Sequence, residues 1–129
     1  MNELMEPLIS VQLFDQQPAY QPSDTLVCDY QIDAVQADDL QAVEASVLWY
    51  TEGKGEEDMV VHYFERRVLA DVERGDLRQL RRFETVLPNS PVSYRGSLIN
   101  VQWCVRVRAF LQRGREAHFE YPFQLGSAQ

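Results

Sequence analysis

From Ile99 to Val107 every second residue is apolar. Ile99, Val101, Trp103, Val105 and Val107 share one parity, while Asn100, Gln102, Cys104, Arg106 and Arg108 take the other. A period of two belongs to a β-strand with one buried face, since a helix would scatter these apolar residues around its axis. The pattern predicts one long antiparallel strand over 98–111. The same alternation recurs at 8–14, with Ile9, Val11 and Leu13 inward, and at 26–32. At 43–51, Val43, Ala45, Val47 and Trp49 oppose Glu44, Ser46, Leu48 and Tyr50. The far end of that second face is apolar, which predicts a cover over it. Further strands are expected at 59–68, 80–87 and 117–125, the last with Ala117, Phe119, Tyr121, Phe123 and Leu125 facing in.

The punctuation between these runs is turn chemistry. Residues 15–24 carry Pro18 and Pro22, residues 34–41 form a polar loop, and 52–58 is a hairpin loop with two glycines able to take positive φ. Asn89-Ser90-Pro91 and residues 112–115 read as turns, and residues 70–76 as at most a helical turn, interrupted by Gly75. About seven strands and no convincing helix predict an all-β fold, an immunoglobulin-like antiparallel β-sandwich. Its length predicts a single domain over residues 1–129. Such a sandwich has edges to manage, and Pro122 within the last strand fits an edge or a bulge.

The central stretch also carries a family resemblance. Leu87-Pro88, Ser93-Tyr94-Arg95-Gly96 and Val101-Gln102-Trp103-Cys104-Val105-Arg106 resemble the arrestin amino-terminal domain. There a leucine-proline strand end leads through serine, an aromatic and glycine into a long hydrophobic strand. Tyr20-Gln21-Pro22-Ser23-Asp24-Thr25 is similar to the family's tyrosine-proline-glycine-acid turn, with Ser23 in place of glycine, and Cys28 stands where a small residue is common. The resemblance implies an arrestin-like sandwich. Arrestins that read phosphorylated receptor tails carry adjacent lysines in the first strand, where this chain has Val11-Gln12-Leu13. They also use a second sandwich domain and a long tail, for which 129 residues leave no room. The expectation is an arrestin-like interaction module without receptor regulation.

Charge is unevenly spread around a net −8. Residues 1–65 hold fourteen acids against Lys54 alone, and residues 66–129 hold eleven arginines against six acids. A sandwich interleaves the two halves, so the asymmetry can neutralise itself. A pI near 4.7 argues against nucleic acid as a partner. The acidic start lacks a signal-peptide pattern and no apolar run reaches the ~20 residues of a membrane span, so a cytoplasmic protein is expected. Cys28 and Cys104 flank Trp49 as an immunoglobulin pair would. Parity, however, points Cys28 inward and Cys104 outward, which predicts two free thiols, the outer one the more reactive.

Catalytic chemistry needs a nucleophile, a base and a group that orients the base. His62 and His118 are the only histidines, and neither has a serine or cysteine neighbour in a strained turn. No enzyme activity and no cofactor are expected. Metal-ligand spacings are absent, and Glu56-Glu57-Asp58 reads as a solvated loop tip. The arginines offer either bidentate anion contacts or pairing with Glu65, Glu84, Glu116 and Glu120 on mixed-charge faces, the latter preferred. What remains is a protein partner, or a second copy of the chain, held at a sheet edge. Arg106, Arg108, Phe110, His118 and Glu120 are the candidate contact residues. The alternative is a sugar- or lipid-binding sandwich using Tyr50 or Phe110.

Overall fold

A computed structural model describes residues 6–55, 57–72 and 75–126. Eight strands succeed one another: β1 Leu8–Leu13, β2 Thr25–Asp33, β3 Leu40–Gly53, β4 Met59–Val68, β5 Arg81–Val86, β6 Tyr94–Arg95, β7 Ile99–Leu111 and β8 Glu116–Phe123. One antiparallel sheet has the order β1-β2-β5. The other runs β4-β3-β7, with β6 and β8 both paired to β7 on the side away from β3. The predicted all-β sandwich is what the chain forms. Glu56 of the predicted hairpin loop, residues 73 and 74 of the 70–76 piece, and the acidic start before Glu6 lie outside the described residues.

The long alternating strand is the centre of the larger sheet. β7 pairs β3 from Gly53↔Ile99 to Leu40↔Leu111. Its inward parity joins Val43, Ala45 and Val47 of β3 against Leu26, Cys28, Tyr30, Ile32 and Phe83 of the opposite sheet. Trp103 is fully buried among them, and its indole N–H donates to the Pro91 carbonyl at 2.8 Å. The ring's one polar atom is thereby satisfied, as burial requires. Gly53 ends the ladder at φ +143°, where a Cβ would collide with the Leu98 carbonyl, so only glycine lets the backbones pass so close. Ser23 sits at φ +76° in its turn, which is why glycine suits that place in the motif it resembles.

The expected boundaries shift in a few places. β6, two residues within the Ser93-Tyr94-Arg95-Gly96 motif, is too short for periodicity to show, and it brings the described strands to eight rather than seven. β3 begins at Leu40, inside the predicted 34–41 loop, because the ladder to Leu111 carries it there. Among the described residues, the start of the 70–76 piece forms a 3₁₀ turn at Leu69–Asp71. Phe119, expected inside, occupies the inward parity but is 41% exposed at the open end of its strand. Among the described residues no helix is long and apolar enough to cross a membrane.

Cys104 needs a correction. It lies on the outer face, as parity requires, yet it is as enclosed as Cys28. Leu48 and Pro122 flank it in the sheet, and Arg106 reaches past that row to the Met59 sulfur at 3.5 Å. The cover predicted over Leu48 is thus supplied by side chains of its own sheet. Burial pushes both thiols up to about 12, which removes the expected reactivity difference between them. With Cys28 in the core between the sheets and Cys104 on the outer face of its own sheet, both remain free.

Candidate interaction surface

The five residues singled out by sequence share one surface, the outer face of β7 and β8. Cross-strand register sets Arg66, Glu44, Arg108 and His118 in one row, and Phe64, Ser46, Arg106 and Glu120 in the next. Opposite charges face each other along these rows. Arg106 pairs Glu120 at 2.6 Å, and Arg108 pairs Glu116 at 2.6 Å and Glu44 at 3.6 Å. Phe110 lies beneath two guanidiniums, with Arg108 Cζ 4.9 Å and Arg66 Cζ 5.4 Å from its ring centre. The arginines are therefore matched by acids within the face, and the Phe110 ring is already engaged by cations.

Beside this face the backbone itself becomes the interesting chemistry. Leu111 N donates to the Arg115 carbonyl at 2.9 Å, and the β7–β8 register continues from there without a shift to Trp103↔Phe123. Bonded and unbonded rungs alternate in an antiparallel pair. Ala117, Phe119, Tyr121 and Phe123 therefore direct their backbone groups at β7. Glu116, His118 and Glu120 direct theirs away from it, toward an edge on which no strand of the described chain pairs. Pro122 falls in the same outward phase, where its missing N–H costs the ladder nothing.

That edge opens onto a groove of about 820 Å³ between β8 and β1. Glu6, Leu8 and Ile9 form one wall, and Arg115, Ala117 and Phe119 are on the other. Leu8 is 64% exposed there. The two strands belong to different sheets and diverge at this end. At the far end the seam is shut by Tyr20 N to the Gln124 carbonyl at 2.8 Å and Gly126 N to the Tyr20 carbonyl at 2.7 Å. Gln16 donates to the Tyr121 hydroxyl at 2.8 Å between the two ends. Arg115 is anchored by Asp39 at 2.6 Å, a hydrogen bond that holds the Asp39 carboxyl below the ordinary range. Of the groove, only His118 was singled out by sequence. Arg115 read as a turn residue and Phe119 as core, and no local pattern brings residues 6–9 beside residues 115–119.

The opposite seam, between β4 and β5, is filled with polar chemistry. Glu65 accepts from Tyr30 at 2.6 Å, from Tyr63 at 2.7 Å and from Arg81 through two bonds of 3.1 Å. Burial works to raise its carboxyl, but these donors and the Arg81 charge together hold it below the ordinary 4.5. Tyr63 stacks on Phe83 at 4.7 Å. The β4 register shifts at Val47/Leu48, which leaves His62 as the extra residue of a bulge and turns it toward Trp103 at 6.1 Å. His62 Nε2 lies 2.8 Å from the Val86 carbonyl and 3.1 Å from the Thr85 hydroxyl. The carbonyl can only accept, so Nε2 carries the proton and is not a base toward Thr85. Among the described residues no cluster is placed to hold a metal.

Comparison with known proteins agrees at the level of architecture. No family model and no curated protein matches the sequence. Among solved structures the chain is similar to Spo0M, a sporulation control protein from Bacillus subtilis, with a TM-score of 0.65 at 12% identity. The match covers 97% of this chain and 51% of that one, so the chain spans about half of Spo0M's length. Spo0M has an arrestin-like β-sandwich, and the likeness extends to the fold of this chain.

Proposed function

We propose that the chain is a non-enzymatic protein-interaction module that accepts an extended segment of a protein partner along the outer edge of β8. The observation that carries this reading is the coincidence of outward-directed backbone at Glu116, His118 and Glu120 with the groove beside them. A strand laid there gains ladder hydrogen bonds, while Arg115, Phe119 and Leu8 offer side-chain selectivity. Arg106 and Glu120 stiffen the face from which the edge projects. Two further features support a binding role over catalysis: His62 is protonated at the nitrogen nearest a hydroxyl, and His118 stands on an open face. The likeness to Spo0M supports an arrestin-like module with regulatory or scaffolding duties. A cytoplasmic setting belongs to the same reading, and two free thiols, one in the core and one on the outer side of a sheet, agree with it.

The test is selection of extended peptides from a displayed library, followed by hydrogen exchange on the complex. Selected peptides should slow exchange at the Glu116, His118 and Glu120 amides. Protection confined to the 52–58 loop would transfer the site to the end of the sandwich and sink this reading.

A further inference from the structure

The edge of β8 has a self-complementary sequence, and we infer that a second copy of this chain pairs with it, antiparallel and centred on Ala117. The inference rests on the strand-addition reading above and adds the identity of the occupant. A twofold axis at Ala117 sets Glu116 opposite His118 of the second copy, and His118 opposite its Glu116, so each acid, held by Arg108 of its own chain, also meets an imidazole. Both residues lie in the outward backbone phase, so the same two rungs supply the ladder bonds. On the groove side, Arg115 comes opposite Phe119 of the second copy, a guanidinium beside an exposed ring, and this contact also occurs twice. The small Ala117 side chains meet on the axis, where bulk would separate the strands.

Neighbouring registers are worse on the same page of chemistry. Centring on His118 opposes Glu116 to Glu120 and stacks two histidines, like against like. Centring on Phe119 drives the second strand past Tyr121 and Pro122, where Gln16 bonds Tyr121 across the seam and Pro122 has no N–H to give. The Ala117 register spans residues 115–119, the same five that line the groove at the start of β8. The product is a continuous sheet, β4-β3-β7-β8 joined edge to edge with its symmetry mate. Such pairing removes one of the unprotected edges that an isolated sandwich leaves.

Sedimentation of the full chain at high-micromolar concentration tests this, with twice the 15.0 kDa chain mass expected. His118→Pro removes an outward N–H while leaving every bond to β7, so it should return the protein to monomer with its circular dichroism unchanged. Glu116→Lys should also abolish the dimer, and Glu116→His combined with His118→Glu should restore it, because the exchanged pair still faces across the axis. A chain that stays monomeric at these concentrations, or a dimer indifferent to all three changes, overturns the proposal. A monomer whose β8 amides are still protected by a selected peptide refutes self-pairing alone and leaves strand addition standing.

Discussion

The two seams of this sandwich solve one problem in opposite ways. Each lies where an edge strand of one sheet comes beside an edge strand of the other. Between β4 and β5 the gap is filled by side chains: the Glu65 carboxylate with its three donors, the Tyr63–Phe83 stack, and His62 on the Val86 carbonyl. Between β1 and β8 it is shut by backbone at the Tyr20–Gln124 end and left open at the Leu8–Phe119 end. A half-buried ion cluster needs its partners together, so side chains occupy the first seam. The second presents unpaired backbone and exposed apolar side chains, which are what an added strand uses. On the strand-addition proposal, stability is concentrated at one side of the molecule and recognition at the other.

Trp103 should produce the largest effect, because it touches both seams. His62 approaches its ring from one side, at 6.1 Å, and Phe123 from the β8 side, at 5.9 Å. Trp103→Ala should cost about 3–5 kcal/mol, enough to unfold a domain of ordinary stability. Urea unfolding checks it, and an unchanged midpoint would remove Trp103 from the core.

Glu65→Ala comes next and should loosen the closed seam alone. It strands the hydroxyls of Tyr30 and Tyr63 and the Arg81 guanidinium. A fully buried pair would cost about 3–5 kcal/mol to break, and the partial exposure of Arg81 brings the expectation down to roughly 2–3 kcal/mol. The pH dependence has a definite sign. The folded carboxyl is held below its ordinary 4.5, so its contribution is complete above that value and disappears as pH falls through the folded one. Unfolding free energies at pH 7 and pH 3 should therefore converge more in Glu65→Gln than in the unaltered chain. Strand addition at β8 should survive both Glu65 changes, and its loss would show that the seams are coupled.

The contrast between the seams was only half legible in the sequence. Alternation at 99–107 placed Trp103 correctly, because burial on one face of a strand writes itself into every second residue. It offered no facing for His62, where one extra residue in β4 breaks the parity and turns two successive side chains the same way. It also misjudged the exposure of Cys104 and Phe119. Parity tells which face a residue takes, but neighbours decide whether that face is covered. Arg106 reaching to Met59 covers the first, and the divergence of β1 leaves the second open. The charged pairs of the β7–β8 face were readable as the Glu116 and Glu120 partners of a mixed-charge surface. Glu65 was likewise named as an arginine partner, and Arg81 is that partner, but its Tyr30 and Tyr63 donors and the groove were not readable, since they join residues far apart in the chain or across a bulge.

A smaller effect is expected where the open seam closes. Tyr121→Phe removes the hydroxyl that accepts from Gln16, an exposed hydrogen bond. The cost should be about 0.5–1 kcal/mol in the denaturant midpoint. Hydrogen exchange should meanwhile quicken in residues 16–20 and leave β4 and β5 unaltered. Faster exchange across both seams would mean that the two sides of the sandwich open as one unit.

The smallest stability change should come from His118→Pro, and its smallness is what makes it informative. Proline within a sheet is costly when it deletes a ladder bond and tolerable when its nitrogen faces outward on an edge strand. Pro122 already occupies β8 four residues on, in the phase assigned to His118 by the Leu111–Arg115 bond. His118→Pro should therefore shift the thermal midpoint by no more than the equivalent of about 1 kcal/mol. Phe119→Pro, one residue away and in the bonded phase, should cost about 3 kcal/mol or more. If the two substitutions are equally damaging, the amides of His118 and its outward neighbours already have partners, and the edge is not free to take a strand. If only Phe119→Pro destabilises while His118→Pro abolishes association, the open seam is a binding edge whose recognition can be removed without disturbing the closed one.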